Sequence, residues 1–148
     1  MISPEMLRRY PHFEGIGEDS LKAIAMIAKE ETVPEGTQMF IEGDEANSLN
    51  IIVEGEVEIQ YLLGTGERRT VDTLVAGDVL CWSALIEPYK TTANGTVTKN
   101  TTLLKIEAKK LRELCDTDPK LGYQLTTQVA KLLAHRLQNA RVQLAAAD

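Results

Sequence analysis

Glycine turns recur through the middle of the chain: Pro34-Glu35-Gly36, Glu42-Gly43-Asp44, Glu54-Gly55, Gly64-Thr65-Gly66 and Ala76-Gly77-Asp78. The runs between them are short. Within Glu56–Leu62 the residues alternate, with Val57, Ile59 and Tyr61 on one face and Glu58 and Gln60 on the other. Turns every ~8–12 residues leave no room for helices and call for antiparallel strands closed into a barrel or sandwich. The expected strands are Glu31–Val33, Gln38–Ile41, Leu49–Val53, Glu56–Leu62, Arg68–Leu74 and Thr101–Ile106, with each glycine serving a turn of positive φ.

Helices flank this region. Ser3-Pro4-Glu5 is a helix start, with Ser as N-cap and Pro in the first turn, and the helix stops by Pro11. A second helix follows Gly17, with Leu21, Ile24, Ala25 and Ala28 at helical spacing to about Lys29. After a short helix over 107–115, Asp118 caps a long helix that opens at Pro119 and runs to near Ala147. Leu121, Leu125, Val129, Leu132, Leu133, Leu137, Ala140 and Leu144 form one apolar stripe along it. One small barrel cannot cover that length, so the outer half is expected to pair with the same helix of a second copy in a parallel coiled coil. A helix folded back on its own barrel is the alternative. His135 and Arg136 are read as solvated or interface-edge residues.

Charge and composition exclude several classes. The chain has 148 residues and a net charge of -6, with no basic run, which is a poor match to nucleic-acid binding. Cys81 and Cys115 lie far apart without CxxC spacing, so neither a disulfide framework nor a zinc site is expected. No stretch approaches the ~20 apolar residues of a membrane span, and the expected setting is cytoplasmic. His12 and His135 both fall outside the strand region, and no Ser/His/Asp or Cys/His arrangement appears. Neither an enzyme nor a metal site is expected.

The stretch Ala76–Val97 has the layout of a phosphate-holding loop. A Gly77-Asp78 turn opens it, where free backbone N–H groups can face an anion, and an apolar segment, Val79–Ile86, follows. Lys90 then supplies a positive charge ahead of a β-favouring run, Thr91–Val97.

Val33-Pro34-Glu35-Gly36, Phe40-Ile41-Glu42-Gly43-Asp44, Ile52-Val53-Glu54-Gly55-Glu56-Val57 and Ala76-Gly77-Asp78 resemble, in order and spacing, the signature of the cyclic-nucleotide-binding domain. The chain is similar to the sensor half of the catabolite-activator and fumarate-nitrate-regulator superfamily over nearly its whole length. The resemblance implies a mainly β fold: a jelly-roll (double-stranded β-helix) barrel with N-terminal helices and a long C-terminal helix. The barrel domain would span 1–118 and the dimerisation helix 119–148. It also implies that a helix-turn-helix domain, present in the transcription-factor members, is missing here, so direct DNA binding is not expected.

In nucleotide-binding members the cassette reads roughly Phe-Gly-Glu-x-Ala-Leu and then Pro-Arg-x-Ala. Its Glu holds the ribose 2′-hydroxyl and its Arg the cyclic phosphate. Here Leu80 takes the Phe place, Cys81 the Gly, Trp82 the Glu, and Ala84-Leu85 the apolar pair, while Lys90 is matched to the Arg. An indole N–H only donates, so Trp82 cannot accept the ribose hydroxyl's hydrogen bond. Lysine lacks the guanidinium fork. Gly77, Asp78, Cys81, Trp82, Ser83, Ala84, Leu85, Lys90, Thr91 and Thr92 are the candidate binding residues. Trp82 is expected to plug the barrel core, or to line an apolar pocket for another small ligand or a surface for a partner protein, and Cys81 is read as a small buried hydrophobe rather than a redox sensor.

Three functions remain open. One is a dimeric regulatory module for a small ligand that binds cyclic AMP and cyclic GMP weakly and acts on a partner protein through the long helix. Another is a genuine cyclic nucleotide receptor that holds phosphate, or another small anion, with Lys90, Thr91 and Thr92. The last is an adapter with no ligand. The dimer contact would run through Leu125, Val129, Leu132, Leu133, Leu137 and Ala140.

Overall fold

The computed structural model describes residues 2–147. Two N-terminal helices, α1 (Pro4–Arg8) and α2 (Glu18–Met26), flank a 3-10 turn at Pro11–Phe13. The strands are β1 (Ala28–Val33), β2 (Gln38–Phe40), β3 (Ser48–Leu62), β4 (Arg68–Val75), β5 (Val79–Leu80) and β6 (Asn94–Glu107). Helices α3 (Ala108–Thr117) and α4 (Pro119–Ala146) close the chain. The expected caps form at both ends: Ser3 Oγ accepts from the Met6 N–H at 3.4 Å, and Asp118 Oδ1 from the Leu121 N–H at 3.3 Å.

Strands β3 and β6, of 15 and 14 residues, organise the sheet. They pair antiparallel along their length, in the order β1-β6-β3-β4. The C-terminal half of β6 carries β1 and its N-terminal half carries β2, while β3 carries β5 near its start and β4 near its end. Two long bent strands, each shared between two half-sheets, make the jelly-roll barrel.

Alternation along β6 sorts its side chains between two cores. Leu104 and Ile106 join Leu7, Phe13, Leu21, Leu111, Leu121 and Leu125 in the cluster under the helices. Val97 and Leu103 join Val33, Ile52, Val57 and Leu74 inside the barrel. Because Leu121, Leu125 and Val129 are buried, the first half of α4 is part of the fold itself.

Several boundaries differ from those expected. α2 ends at Met26, and Ala28 and Lys29 belong to β1, where they pair with Ile106 and Lys105. Cross-strand pairing outweighs helical spacing there. Leu49–Val53 and Glu56–Leu62 are one strand rather than two. Gly55, expected at a turn, sits inside β3 where its register against β6 shifts, which is the mark of a β-bulge. The Thr91–Val97 and Thr101–Ile106 runs likewise merge into β6, which starts only at Asn94.

Candidate functional site: the cassette and the groove beneath the C-terminal helix

The cassette begins as a tight turn. Gly77 has φ 91°, and its N–H donates to Ile52 O at 2.7 Å. The Asp78 N–H donates to Val75 O at 3.0 Å, and Asp78 Oδ2 accepts from the Val75 N–H at 2.8 Å. The Gly77 and Asp78 N–H groups, expected to face an anion, are therefore spent on β3 and on the turn itself. The apolar segment then divides into β5, paired with Asn50 and Ile51 of β3, and a 3-10 turn over Trp82–Ala84.

Cys81 makes the break between those two pieces, with φ 63° and ψ 45°. This left-handed conformation occurs at the position the related cassettes give to glycine, where no Cβ opposes it. Its thiol is pushed up to about 11, chiefly by burial, so it carries no nucleophilic thiolate. It lines a cavity of about 500 Å³ together with Glu31, Asn50 and Lys105 and with Val33 and Leu103 of the barrel core. Ser83 and Ala84 are buried, and Leu85 is half-buried against the helical core.

Trp82 is half-buried and does not plug the barrel. It lines a groove of about 670 Å³ between the barrel and α4. Ile59 and Tyr61 of β3 and Val71 and Asp72 of β4 form one wall, and Leu133, Arg136, Leu137 and Ala140 of α4 form the other. Of the candidates that follow Trp82 in the cassette, Thr92 reaches this groove. Thr91 is buried, and its hydroxyl donates to Ile41 O at 2.7 Å. Lys90, matched to the phosphate-binding arginine, is exposed and lies outside the groove, where its backbone bridges Glu45. The positive charge expected from the cassette is absent from the groove wall, and Lys90 and Trp82 do not share a site.

The cation at the groove comes from α4. Arg136 donates from Nη2 to Val79 O at 2.6 Å. Burial lowers its pKa, and the charges of Asp72 and Asp78 work against that shift. Two further side chains hold the cassette from outside the sheet. Arg112 of α3 donates to Ala84 O at 2.7 Å and lies 4.1 Å from the Tyr89 ring centroid. His12, from the N-terminal 3-10 turn, has its pKa lowered, first by burial and further by Arg136, while a hydrogen bond with the Gly77 backbone opposes the shift.

Sequence reasoning assigned none of these three to the site. For Arg136 a signal existed: it follows Leu132 and Leu133 by four and three residues, and so shares the apolar face of α4. Arg112 and His12 carry no such mark, because what places them is the packing of their elements on the cassette. Among the described residues no group of three or more His, Cys, Asp or Glu side chains is placed to hold a metal, and no helix is long and apolar enough to cross a membrane.

The fold is thus a jelly-roll barrel whose cassette and C-terminal helix enclose a groove. The family model of the cyclic nucleotide-binding domain matches residues 30–118. The chain belongs to that family. It is similar to a Geobacter metallireducens protein of the cyclic-nucleotide-binding class, with 36% identity and a TM-score of 0.85 over 93% of this chain and 99% of that one. It is 23% identical over 141 residues to the CRP-like cAMP-activated global transcriptional regulator of Mycobacterium tuberculosis. It is 24% identical over 134 residues to the cyclic AMP receptor protein of Thermus thermophilus. Those matches cover 95% and 90% of this chain but 61% and 60% of the two relatives.

Proposed function

We propose that this chain is a regulatory module that senses a small ligand in the groove between the barrel and α4, and that it binds cyclic AMP and cyclic GMP weakly. One observation carries this reading. The groove wall has an indole, Trp82, where related cassettes place a carboxylate, and no cassette cation. Nucleotide affinity in the family rests on a carboxylate for the ribose and an arginine for the phosphate. A site without its hydrogen-bonding partners loses several powers of ten in discrimination.

The occupant would be read out through α4, which forms one wall of the groove and holds Val79 through Arg136. A ligand that prefers one arrangement of helix and cassette shifts their equilibrium. The exposed outer half of α4 would join two copies and present the change to a partner protein. The net charge of -6 argues against these residues gripping a phosphate backbone themselves.

Titration calorimetry of the full chain tests the ligand claim. Cyclic AMP and cyclic GMP are expected to bind no tighter than roughly the upper micromolar range. Sub-micromolar binding of either would overturn it. The converse variant, Trp82→Glu with Thr92→Arg, restores both groups at the groove wall and is expected to gain nucleotide affinity.

A further inference from the structure

The groove has an electrostatic polarity of its own. Seven of its lining residues, from Ile59 to Leu137, are apolar or aromatic, yet a guanidinium stands among them. Arg136 makes one hydrogen bond, to a neutral carbonyl, at Val79 O. A guanidinium carries five N–H donors in a planar fork suited to a carboxylate or phosphate. Among the described residues no carboxylate lies within 4.0 Å of it. Arg136 is half-buried, and a charge partly withdrawn from water gains from a partner of opposite sign. Asp72 and Asp78 act on Arg136 only from beyond ion-pair range. Each already accepts a backbone N–H, from Thr73 at 2.9 Å and from Val75 at 2.8 Å.

We propose that the groove takes an amphipathic organic anion, with its flat apolar body against Trp82 and its acidic group on the Arg136 guanidinium. This rests on the reading of the groove as a ligand site and names the ligand's chemistry. The arrangement reverses the polarity of the related cassettes, since the anion is met by the helix and not by the loop. It also supplies a link between occupancy and motion. An acidic group that takes the Arg136 donors competes with Val79 O for them, and so loosens the bond between α4 and the cassette. Asp72, on the facing strand, is the competing negative charge, and it sets how strongly an anion is drawn in.

Naphthalene-2-carboxylate and its neutral isostere naphthalene-2-carboxamide test this on the full chain by calorimetry. Trp82 is the chain's one tryptophan, so its fluorescence reports whether the probe reaches the groove. The carboxylate is expected to bind about tenfold or more tighter than the amide, since hydrogen bonds to a charged group carry that much. Arg136→Gln should erase the preference and Arg136→Lys should keep part of it. Asp72→Asn should strengthen carboxylate binding. If Arg136→Gln fails to fold, Asp72→Asn carries the test, and unchanged or weaker carboxylate binding in it overturns the proposal. Equal binding of both probes with a response from Trp82 overturns the anion assignment and leaves the groove standing as a ligand site. Binding of neither probe at millimolar concentration overturns both.

Discussion

At the residue scale, the bulge in β3 turns on Gly55. Gly55 has φ 117°, and a Cβ built on it would stand 2.6 Å from the Thr101 Cα. The Thr101 hydroxyl accepts from the next N–H, that of Glu56, at 3.1 Å, so the bulge and Thr101 fix one another. Gly55→Ala therefore combines a left-handed residue with a clash against backbone. We expect it to cost about 3 kcal/mol or more and to lower Tm by roughly 6–12 °C. Gly64→Ala is the control, because nothing lies within 4 Å of its Cβ position and its φ is not positive; it should change Tm little. Equal effects of the two in calorimetric melts would refute this account of the bulge. Both glycines look alike in sequence, as breaks in an alternating run. Which one ends a strand and which lets a strand pass close to its neighbour depends on a contact 46 residues away in the chain, and local spacing carries no trace of it.

At the element scale, α4 was legible as a helix to within a residue or two. Its cap, its proline and its apolar spacing are all local signals. What the stripe does was less legible, because hydrophobicity marks a face without naming what covers it. Leu121, Leu125 and Val129 are buried in this chain's own core, whereas Leu137 is 54% exposed and Leu144 76%. Leu133, Leu137, Ala140 and Leu144 continue the stripe at steps of four, three and four, the heptad pattern of a two-stranded seam. We expect sedimentation equilibrium to give a dimer at tens of micromolar, and Leu144→Arg to shift it to monomer with an unchanged circular dichroism spectrum. Position 144 is the informative one, since Leu137 also lines the groove and Leu144 does not. A wild-type monomer at those concentrations would count decisively against the seam.

At the scale of the whole molecule, the cassette is held by side chains from three elements outside it. The N-terminal turn reaches it through His12, α3 through Arg112 and α4 through Arg136, and the two arginines end on backbone carbonyls of the cassette itself, Ala84 and Val79. The sequence showed where the cassette is, since turn and apolar segment are contiguous. It hid these contacts because each joins residues 28 or more positions apart. They tie the cassette to the N-terminal turn, α3 and α4, and they make a local prediction. Arg112→Gln removes a charged donor to the Ala84 carbonyl together with its stacking on Tyr89, contacts worth about 1–3 kcal/mol in this kind of setting. Most of that loss should appear as local opening, because β5 pairs with β3 over two residues alone and the 3-10 turn that follows is three residues long. Hydrogen exchange read by mass spectrometry should show faster exchange in peptides covering 79–89, while peptides from the paired centres of β3 and β6 keep wild-type rates. Uniform acceleration across the barrel would mean that Arg112 supports the fold as a whole. No acceleration at 79–89 would mean that the cassette holds its shape without α3, and the route from groove to partner would then run through Arg136 and α4 alone.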